Sequence, residues 1–254
     1  MGKADVYSIP QELVDIIIDY LHNDGGALRI CALVCKNWIP CSRYHLFEKI
    51  GHCLYVDPES YTKLLRLLDT PCCTLVPFLH RLVIEERGYH YFQARKVVQL
   101  LNKLPELHAI SMRLHRADET WHDAQCLFSG FTKITDVCIG GDYSNYVLEV
   151  ACSFPLLASL HLRVRGWKEG QVLYSRVPIP RTLCILHMET ATFIPALNWL
   201  MSADQMPALH TIRMSRAPWG DLPCIGKFLA VLGNTLLHFD FDFCSYITLM
   251  GGRS

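Results

Sequence analysis

The sequence lacks the signals that would place it in several common functional classes. No apolar run reaches the length of about 18 residues that a membrane span needs, so no transmembrane segment is predicted. Charged residues make up only 19% of the chain, and its 24 basic residues balance 24 acidic ones. A neutral chain gives no electrostatic reason to expect nucleic acid or an anionic membrane as a partner.

Motifs that carry catalysis or hold phosphates are also missing. The sequence has no Gly-rich phosphate loop, no G-x-S-x-G turn and no H-E-x-x-H pair. One predicted helix groups His122, Asp123 and Cys126, a weak cluster to which we assign no catalytic role. Six of the twelve histidines lie within apolar motifs, where they are expected at the surface: His80, His108, His161, His187, His210 and His238. We therefore predict no enzyme, no cofactor and no metal site.

The cysteines follow neither a disulfide nor a zinc pattern. There are twelve, and no Cys-x-x-Cys pair occurs. Cys31 and Cys35 are four apart, as neighbours on one helix face would be, but no second pair completes a zinc site. The charged residues near the start of the chain, such as Lys3 and Asp5, argue against a secretory signal. We interpret the cysteines as reduced core residues of an intracellular protein, cytoplasmic or nuclear and not secreted.

The first fifty residues predict three short helices. Pro10 suits the first turn of the first helix, where its missing N–H is not needed. Apolar residues then form one stripe on that helix: Leu13, Ile16, Ile17, Tyr20 and Leu21. The second helix is predicted over residues 27–37, with Leu28, Cys31, Ala32 and Cys35 on one face. Pro40 opens the third, and its inward residues are predicted to be Tyr44, Phe47 and Ile50.

Three helices of this size cannot enclose all of their apolar side chains. Units of about 40 residues are marginal without metals, disulfides or a partner. Two interpretations of the apolar surplus stay open from the residues alone. The surplus binds a second protein, or it packs against the rest of this chain.

The N-terminal stretch "IPQELVDIIIDYL", followed by "ALRICALVCKNW", resembles an F-box. The family pattern is an apolar residue and Pro, then Glu-Leu and an Ile/Leu-rich helix. A short helix and an ending of the form Leu-Val-Cys-Lys/Arg-x-Trp complete it. The stretch that follows, "PCSRYHLFEKI", is similar to that of F-box proteins of mushroom-forming fungi. The resemblance covers residues 9–50, and its one departure is Ile9, where Leu is commoner.

This resemblance implies docking to the Skp-type adaptor of a cullin–RING ubiquitin ligase. The adaptor-binding residues that it implies are Ile9, Pro10, Leu13, Ile16, Ile17, Leu21, Leu33, Val34, Cys35 and Trp38. Some of these residues belong to the core of the three helices instead, and the sequence does not sort one group from the other.

The rest of the chain carries a repeated pattern. Residues 51–78 predict a helical linker, with Tyr61, Leu64, Leu65 and Leu68 on one face. The pattern Leu-x-x-Leu-x-Leu, with other apolar residues allowed, then begins at positions 79, 107, 134, 157, 183, 209 and 236. We call its three apolar positions the first, second and third slots. The steps of 28, 27, 23, 26, 26 and 27 residues fall within the period of leucine-rich repeats, about 20–29 residues. Helical patterns lie between the motifs, so strand and helix alternate.

The predicted fold is therefore α/β. An N-terminal three-helix F-box (1–50) and the linker (51–78) precede a leucine-rich-repeat-like strand–helix solenoid of about seven irregular repeats (79–254). The Asn or Cys that usually follows the third Leu is mostly absent, which resembles the irregular repeats found after many F-boxes. The chain stops soon after the seventh motif without a polar capping repeat. Two interpretations stay open: a truncated gene product, or an edge that binds a partner.

The predicted function is that of a non-enzymatic substrate receptor, which holds a protein target through the exposed positions of the strands. Arg113, Arg163 and Arg213 lie beside the third slots and predict a basic stripe for an acidic segment of that target. The alternative is a repeat-based binding module whose N-terminal helices only cap the solenoid. Exposed apolar surface on the first helix distinguishes the two, because a cap buries it and a docking helix shows it.

Overall fold

A computed structural model describes residues 9–50, 58–70, 73, 76–85, 94–114, 128–143, 146–167, 178–203 and 205–243. The α-helices within these ranges are α1 Gln11–Tyr20, α2 Gly25–Val34, α3 Ile39–Ile50, α4 Pro58–Leu68, α5 Ala94–Asn102, α6 Tyr146–Cys152, α7 Ile194–Met201 and α8 Leu222–Leu232. The strands are β1 Arg81–Glu85, β2 Ala109–Leu114, β3 Asp136–Tyr143, β4 Ser159–Gly166, β5 Ile185–Thr190, β6 Thr211–Ala217 and β7 His238–Phe243. The fold is mixed α/β, as predicted.

The seven strands form one parallel sheet in chain order, from β1 to β7. Every strand begins two residues after a first slot, as Ala109 follows Leu107 and Ser159 follows Leu157. The register keeps equivalent slots side by side, so that Ile110 pairs with Val137 in the next strand. The prediction of a strand at each of the seven apolar motifs is confirmed.

The second and third slots of β1 to β6 are buried, and the residues between them are not. This alternation follows from the two-residue period of a strand, which sends neighbouring side chains to opposite faces of the sheet. The buried face packs against α5, α6, α7 and α8 in one continuous core. The last strand differs, because Phe239, its second slot, is 42% exposed.

Backbone hydrogen bonds join each strand–helix unit to the next just before the strands begin. The carbonyl of His80 accepts from the N–H groups of His108 (3.0 Å) and Ala109 (3.1 Å). The same double acceptance recurs along the chain at His108, Thr135, Ala158, Cys184 and His210. Each unit is thereby fastened to its immediate neighbour in sequence.

A tight turn sets the direction of several strands. The N–H of Leu107 donates to the carbonyl of Leu104 (3.1 Å), and that of Leu157 to Phe154 (3.3 Å). Pro105 and Pro155 directly follow these acceptor residues, at the turn position where a fixed φ is favourable. The recurring Pro therefore stabilises the turn that places the first slot inward.

The segment predicted as a linker packs on the main core. Tyr61 and Leu68 of α4 are buried, and Leu64 and Leu65 are half-buried against the same cluster, so the predicted inward face is confirmed. The Tyr61 hydroxyl donates to the carbonyl of Lys96 in α5, at 3.0 Å.

The helices α1, α2 and α3 form a second, smaller core. Its fully enclosed side chains are Val14, Ile18 and Leu28, and Leu21, Trp38, Cys41 and Leu46 pack around them half-buried. Asp24 caps α2 by accepting from the N–H groups of Gly26 and Ala27, both at 2.9 Å.

Some details of the N-terminal prediction are wrong. The helix α2 ends at Val34, because Cys35 has extended backbone and a short 3-10 turn, Lys36–Trp38, follows. Cys35 is therefore exposed and does not share a face with the buried Cys31.

Tyr44 is 46% exposed, because α3 turns Ser42 inward on the opposite side of the helix. The side chains of Phe47 and Ile50, and the predicted cluster His122, Asp123 and Cys126, lie outside the described residues. Among the helices that the structure describes, none combines the length and apolar character that a membrane crossing requires.

Candidate functional site

The N-terminal helices carry a large exposed apolar surface. It consists of Ile9, Leu13, Ile16, Ile17 and Tyr20 on the first segment and Ile30, Leu33 and Val34 on α2, and we call it the apolar surface. Tyr20 and Leu33 are each 85% exposed. Eight large apolar side chains that are exposed within residues 9–34 indicate an interaction site on these helices.

Helix α1 is apolar on two sides. One side packs into the small core, and the other exposes apolar side chains to solvent. Successive residues turn by about 100° around a helix, so Ile17 and Ile18 point in different directions. Ile18 is 0% exposed in the small core, whereas Ile17 is 43% exposed. The core side of α1 is Val14 and Ile18, and the predicted stripe from Leu13 to Tyr20 lies on the outer side.

The structure sorts the ten predicted adaptor-binding residues into two groups. The exposed ones are Ile9, Pro10, Leu13, Ile16, Ile17, Leu33, Val34 and Cys35. Leu21 and Trp38 are half-buried and support the small core. Two further residues of the apolar surface were not among the ten: Tyr20, which was predicted only as part of the apolar stripe, and Ile30. Both were detectable from helical spacing, since Tyr20 is four residues from Ile16 and Ile30 is three from Leu33.

The three arginines of the predicted basic stripe are exposed, but they do not form one stripe. Arg113 and Arg163 share a row across the sheet, with Gly140 between them. Arg213 lies in the neighbouring row, where it pairs with His187. The reason is its position in the motif: Arg213 precedes its third slot, whereas the other two follow theirs.

Carboxylates accompany two of these arginines. Arg213 Nε lies 2.6 Å from Asp240 Oδ2, and Arg163 Nε lies 3.6 Å from Glu189 Oε2. Exposed pairs of this kind contribute little to stability, about 1 kcal/mol at most, so they remain exchangeable. We call the sheet face opposite the buried slots the polar face. It carries both positive and negative side chains, and it favours a partner that also carries both signs.

Two half-buried histidines, His161 and His187, stack edge to face on this polar side, with ring centroids 5.5 Å apart. Burial, the Arg163 guanidinium and His187 lower the pKa of His161 to about 4. Burial and Arg213 also lower the pKa of His187. Both imidazoles are therefore neutral at neutral pH and can donate or accept hydrogen bonds there.

This depressed pKa predicts a loss of stability in mild acid. In the unfolded chain the pKa of His161 returns to about 6.5. Between pH 6.5 and 4 the unfolded chain binds the extra proton, so the free energy of unfolding falls as the pH is lowered through that window. The substitution His161→Gln is expected to flatten this dependence, as measured by urea unfolding at several pH values. The same pH dependence in the variant and in the parent chain would contradict the assignment, and His210→Gln, at an exposed position, is the control.

A third feature joins α1 to α3. The side chains of Asp19, Cys41 and His45 place their oxygen, sulfur and nitrogen atoms within 4.8 Å of one another. Burial and the negative charges of Asp15 and Asp19 raise the pKa of the Cys41 thiol to about 11. This cluster was not predicted from the sequence. The available signal was Cys41 and His45 four residues apart in one predicted helix, but Asp19 is brought to them only by tertiary packing.

No known family of proteins matches this chain, and no curated protein matches it either.

Proposed function

We propose that this chain is the substrate-receptor subunit of a Skp–cullin–F-box ubiquitin ligase. The three N-terminal helices act as an F-box and dock to a Skp-type adaptor through the apolar surface. The strand–helix units act as irregular leucine-rich repeats that hold a protein target. The receptor catalyses nothing itself. It raises the effective concentration of a target lysine near a ubiquitin-loaded enzyme carried by the cullin–RING assembly.

The exposure of the apolar surface carries this proposal. Helices that only cap a solenoid would bury their outer apolar residues against the repeats, whereas Leu13, Ile16 and Leu33 are each more than half exposed. Helix α1 has a complete inner side of its own, in contact with α3 and with the 3-10 turn Lys36–Trp38. Its outer side is therefore free to bind a second protein without unfolding the small core.

The polar face of the sheet is the proposed target site. Arg113 and Arg163 lie in one row on either side of Gly140, and both side chains are exposed, so both can bind an acidic group of the target. Arg213 is a weaker candidate for binding an acidic group of the target than the sequence indicated, because Asp240 already pairs with it. The eight cysteines in the described ranges are free thiols, which agrees with a cytoplasmic or nuclear setting.

The proposal predicts that the purified full chain binds a Skp-type adaptor, and that charges on the apolar surface prevent it. Leu13→Asp and Leu33→Asp each place a carboxylate at an exposed position, so the fold is retained while the interface would have to bury an unpaired charge. Each is expected to weaken binding at least about tenfold, and the pair to abolish it. Isothermal titration calorimetry measures the affinities, and circular dichroism checks the fold.

Val231→Asp is the matched control, because Val231 is 58% exposed on α8, away from the apolar surface. It is expected to bind like the parent chain. If the folded parent chain fails to bind the adaptor, the receptor proposal is wrong, and the rival remains: a repeat-based protein-binding module whose N-terminal helices have no role in ubiquitin transfer.

A further inference from the structure

Helices α1 and α3 bring three metal-binding side chains to one point. Asp19 lies near the end of α1, and Cys41 and His45 lie one turn apart on α3. His45 Nε2 is 2.6 Å from Asp19 Oδ1, and Cys41 Sγ is 3.8 Å from the same oxygen. One carboxylate therefore contacts both a thiol and an imidazole across the junction of the two helices.

We propose that this cluster is a zinc site, in which Cys41, His45 and Asp19 bind one Zn²⁺ and clip α1 to α3. The three side chains supply sulfur, nitrogen and oxygen ligands, and water completes the fourth position. As the zinc–sulfur bond forms, the thiol proton is released to solvent. The site does not depend on adaptor binding, so it stands apart from the receptor function proposed above.

The ligand set favours zinc over the common hard cations. Magnesium and calcium are bound by oxygen atoms and do not select thiolates. Zinc accepts thiolate, imidazole and carboxylate together, with no redox change. The i, i+4 spacing of Cys41 and His45 places both on the same side of α3, one turn apart, so that both can bind one ion.

Two of the distances between ligand atoms can be compared with those of a tetrahedral site. Zinc–ligand bonds of about 2.0–2.3 Å place neighbouring ligand atoms about 3.4–3.6 Å apart. The sulfur–oxygen distance of 3.8 Å is already near that value. The imidazole–carboxylate distance must open by about 0.8 Å to admit the ion. The Asp19 side chain is 63% exposed and can make that movement, while His45, at 12%, is held by packing.

The small core gives the site a structural purpose. Among the side chains described there, the enclosed apolar cluster consists of Val14, Ile18 and Leu28, which is little for a unit of about 40 residues. A metal that binds the folded arrangement and not the unfolded chain stabilises it by mass action. Zinc would also offset the negative charge of the Asp19 carboxylate, which lies 3.8 Å from Cys41 Sγ.

The test is a metal titration of the full chain after treatment with a chelator. One equivalent of Zn²⁺ is expected to bind, and Co²⁺ is expected to give the thiolate-to-metal charge-transfer absorption of a sulfur-ligated site. Cys41→Ser and His45→Gln should each weaken zinc binding by at least about 10–100-fold, the range known even for partners outside the ligand shell. Cys224→Ser, at a half-buried thiol on α8, and His238→Gln, at an exposed imidazole on β7, should leave it unchanged.

A second measurement covers the case in which Cys41→Ser and His45→Gln fold poorly. Asp19→Asn changes an exposed side chain and is expected to preserve the fold. Zinc should raise the melting temperature of the parent chain, and it should raise that of Asp19→Asn much less. The proposal is overturned if the parent chain takes up no stoichiometric zinc. It is also overturned if Cys41→Ser, His45→Gln and Asp19→Asn all bind zinc as tightly as the parent.

Discussion

Replacing Phe154 with alanine is expected to lower the free energy of unfolding by about 3–5 kcal/mol. Phe154 is 0% exposed, and its ring stacks on that of Phe128 with the centroids 5.1 Å apart. It lies between α6 and β4, where its carbonyl also accepts from the N–H of Leu157. Alanine removes the ring contact and leaves a cavity between two successive strand–helix units, which the surrounding backbone cannot close without breaking its turns.

Urea unfolding followed by circular dichroism measures this loss, and Leu156→Ala is its control. Leu156 is only two residues away in the same turn but is 44% exposed, so its truncation should cost far less than that of Phe154. Equal destabilisation by the two substitutions would show that the stacked rings do not carry the stability of this part of the core.

The substitution Ile18→Asp is expected to unfold the three N-terminal helices while the sheet persists. It removes the burial of an aliphatic side chain, about 1.5–3 kcal/mol, and adds an unpartnered polar group that costs about 1–3 kcal/mol more. Ile18 is one of three residues in the buried apolar cluster described for that core, so little remains to compensate. The main core is a separate cluster and should keep its strands intact.

Ile17→Asp provides a neighbouring control with the same chemistry. Ile17 is the adjacent residue and lies on the outer side of α1, so its substitution should preserve the helices and weaken adaptor binding only. Hydrogen exchange measured by mass spectrometry separates the two cases. Ile18→Asp should lose protection across α1 to α3, and Ile17→Asp should keep it. If Ile18→Asp keeps native protection there, the side of α1 that forms the core has been assigned incorrectly.

The sheet could be predicted from the sequence because its signal is local and repeated. Leu107, Ile110 and Met112 illustrate it: the first slot ends a turn, and the next two alternate with exposed residues, as a strand requires. The same spacing recurs in seven motifs, and each motif is located by its own residues. A wrong assignment of one strand would therefore leave the other six assignments unchanged. Helix α8, Leu222–Leu232, occupies one of the helical patterns between the motifs, and its buried residues Ile225, Phe228 and Leu232 are three and four apart.

The candidate sites were less predictable because they depend on which side a neighbouring element covers. Ile17 and Ile18 are the same residue type at adjacent positions, and only the packing of α1 against α3 decides which one is buried. Arg213 lies in a different row from Arg113 because the two occupy motif positions two residues apart, one before and one after the third slot. Asp19 joins Cys41 and His45 across two helices, and a single helical pattern contains no information about that contact.

The carbonyls that fasten each unit to the next also determine how the chain can reach its folded state. Every strand pairs with the strand about one period away, 23–28 residues along the chain, so the mean loop to be closed is short for a parallel sheet. Folding can start at any adjacent pair and proceed outward in both directions, without the slow search for distant strands that most sheets require. A substitution that disrupts one junction therefore acts directly only on the two units that meet there. It can affect distant strands, such as β1 and β7, only through the strands between them.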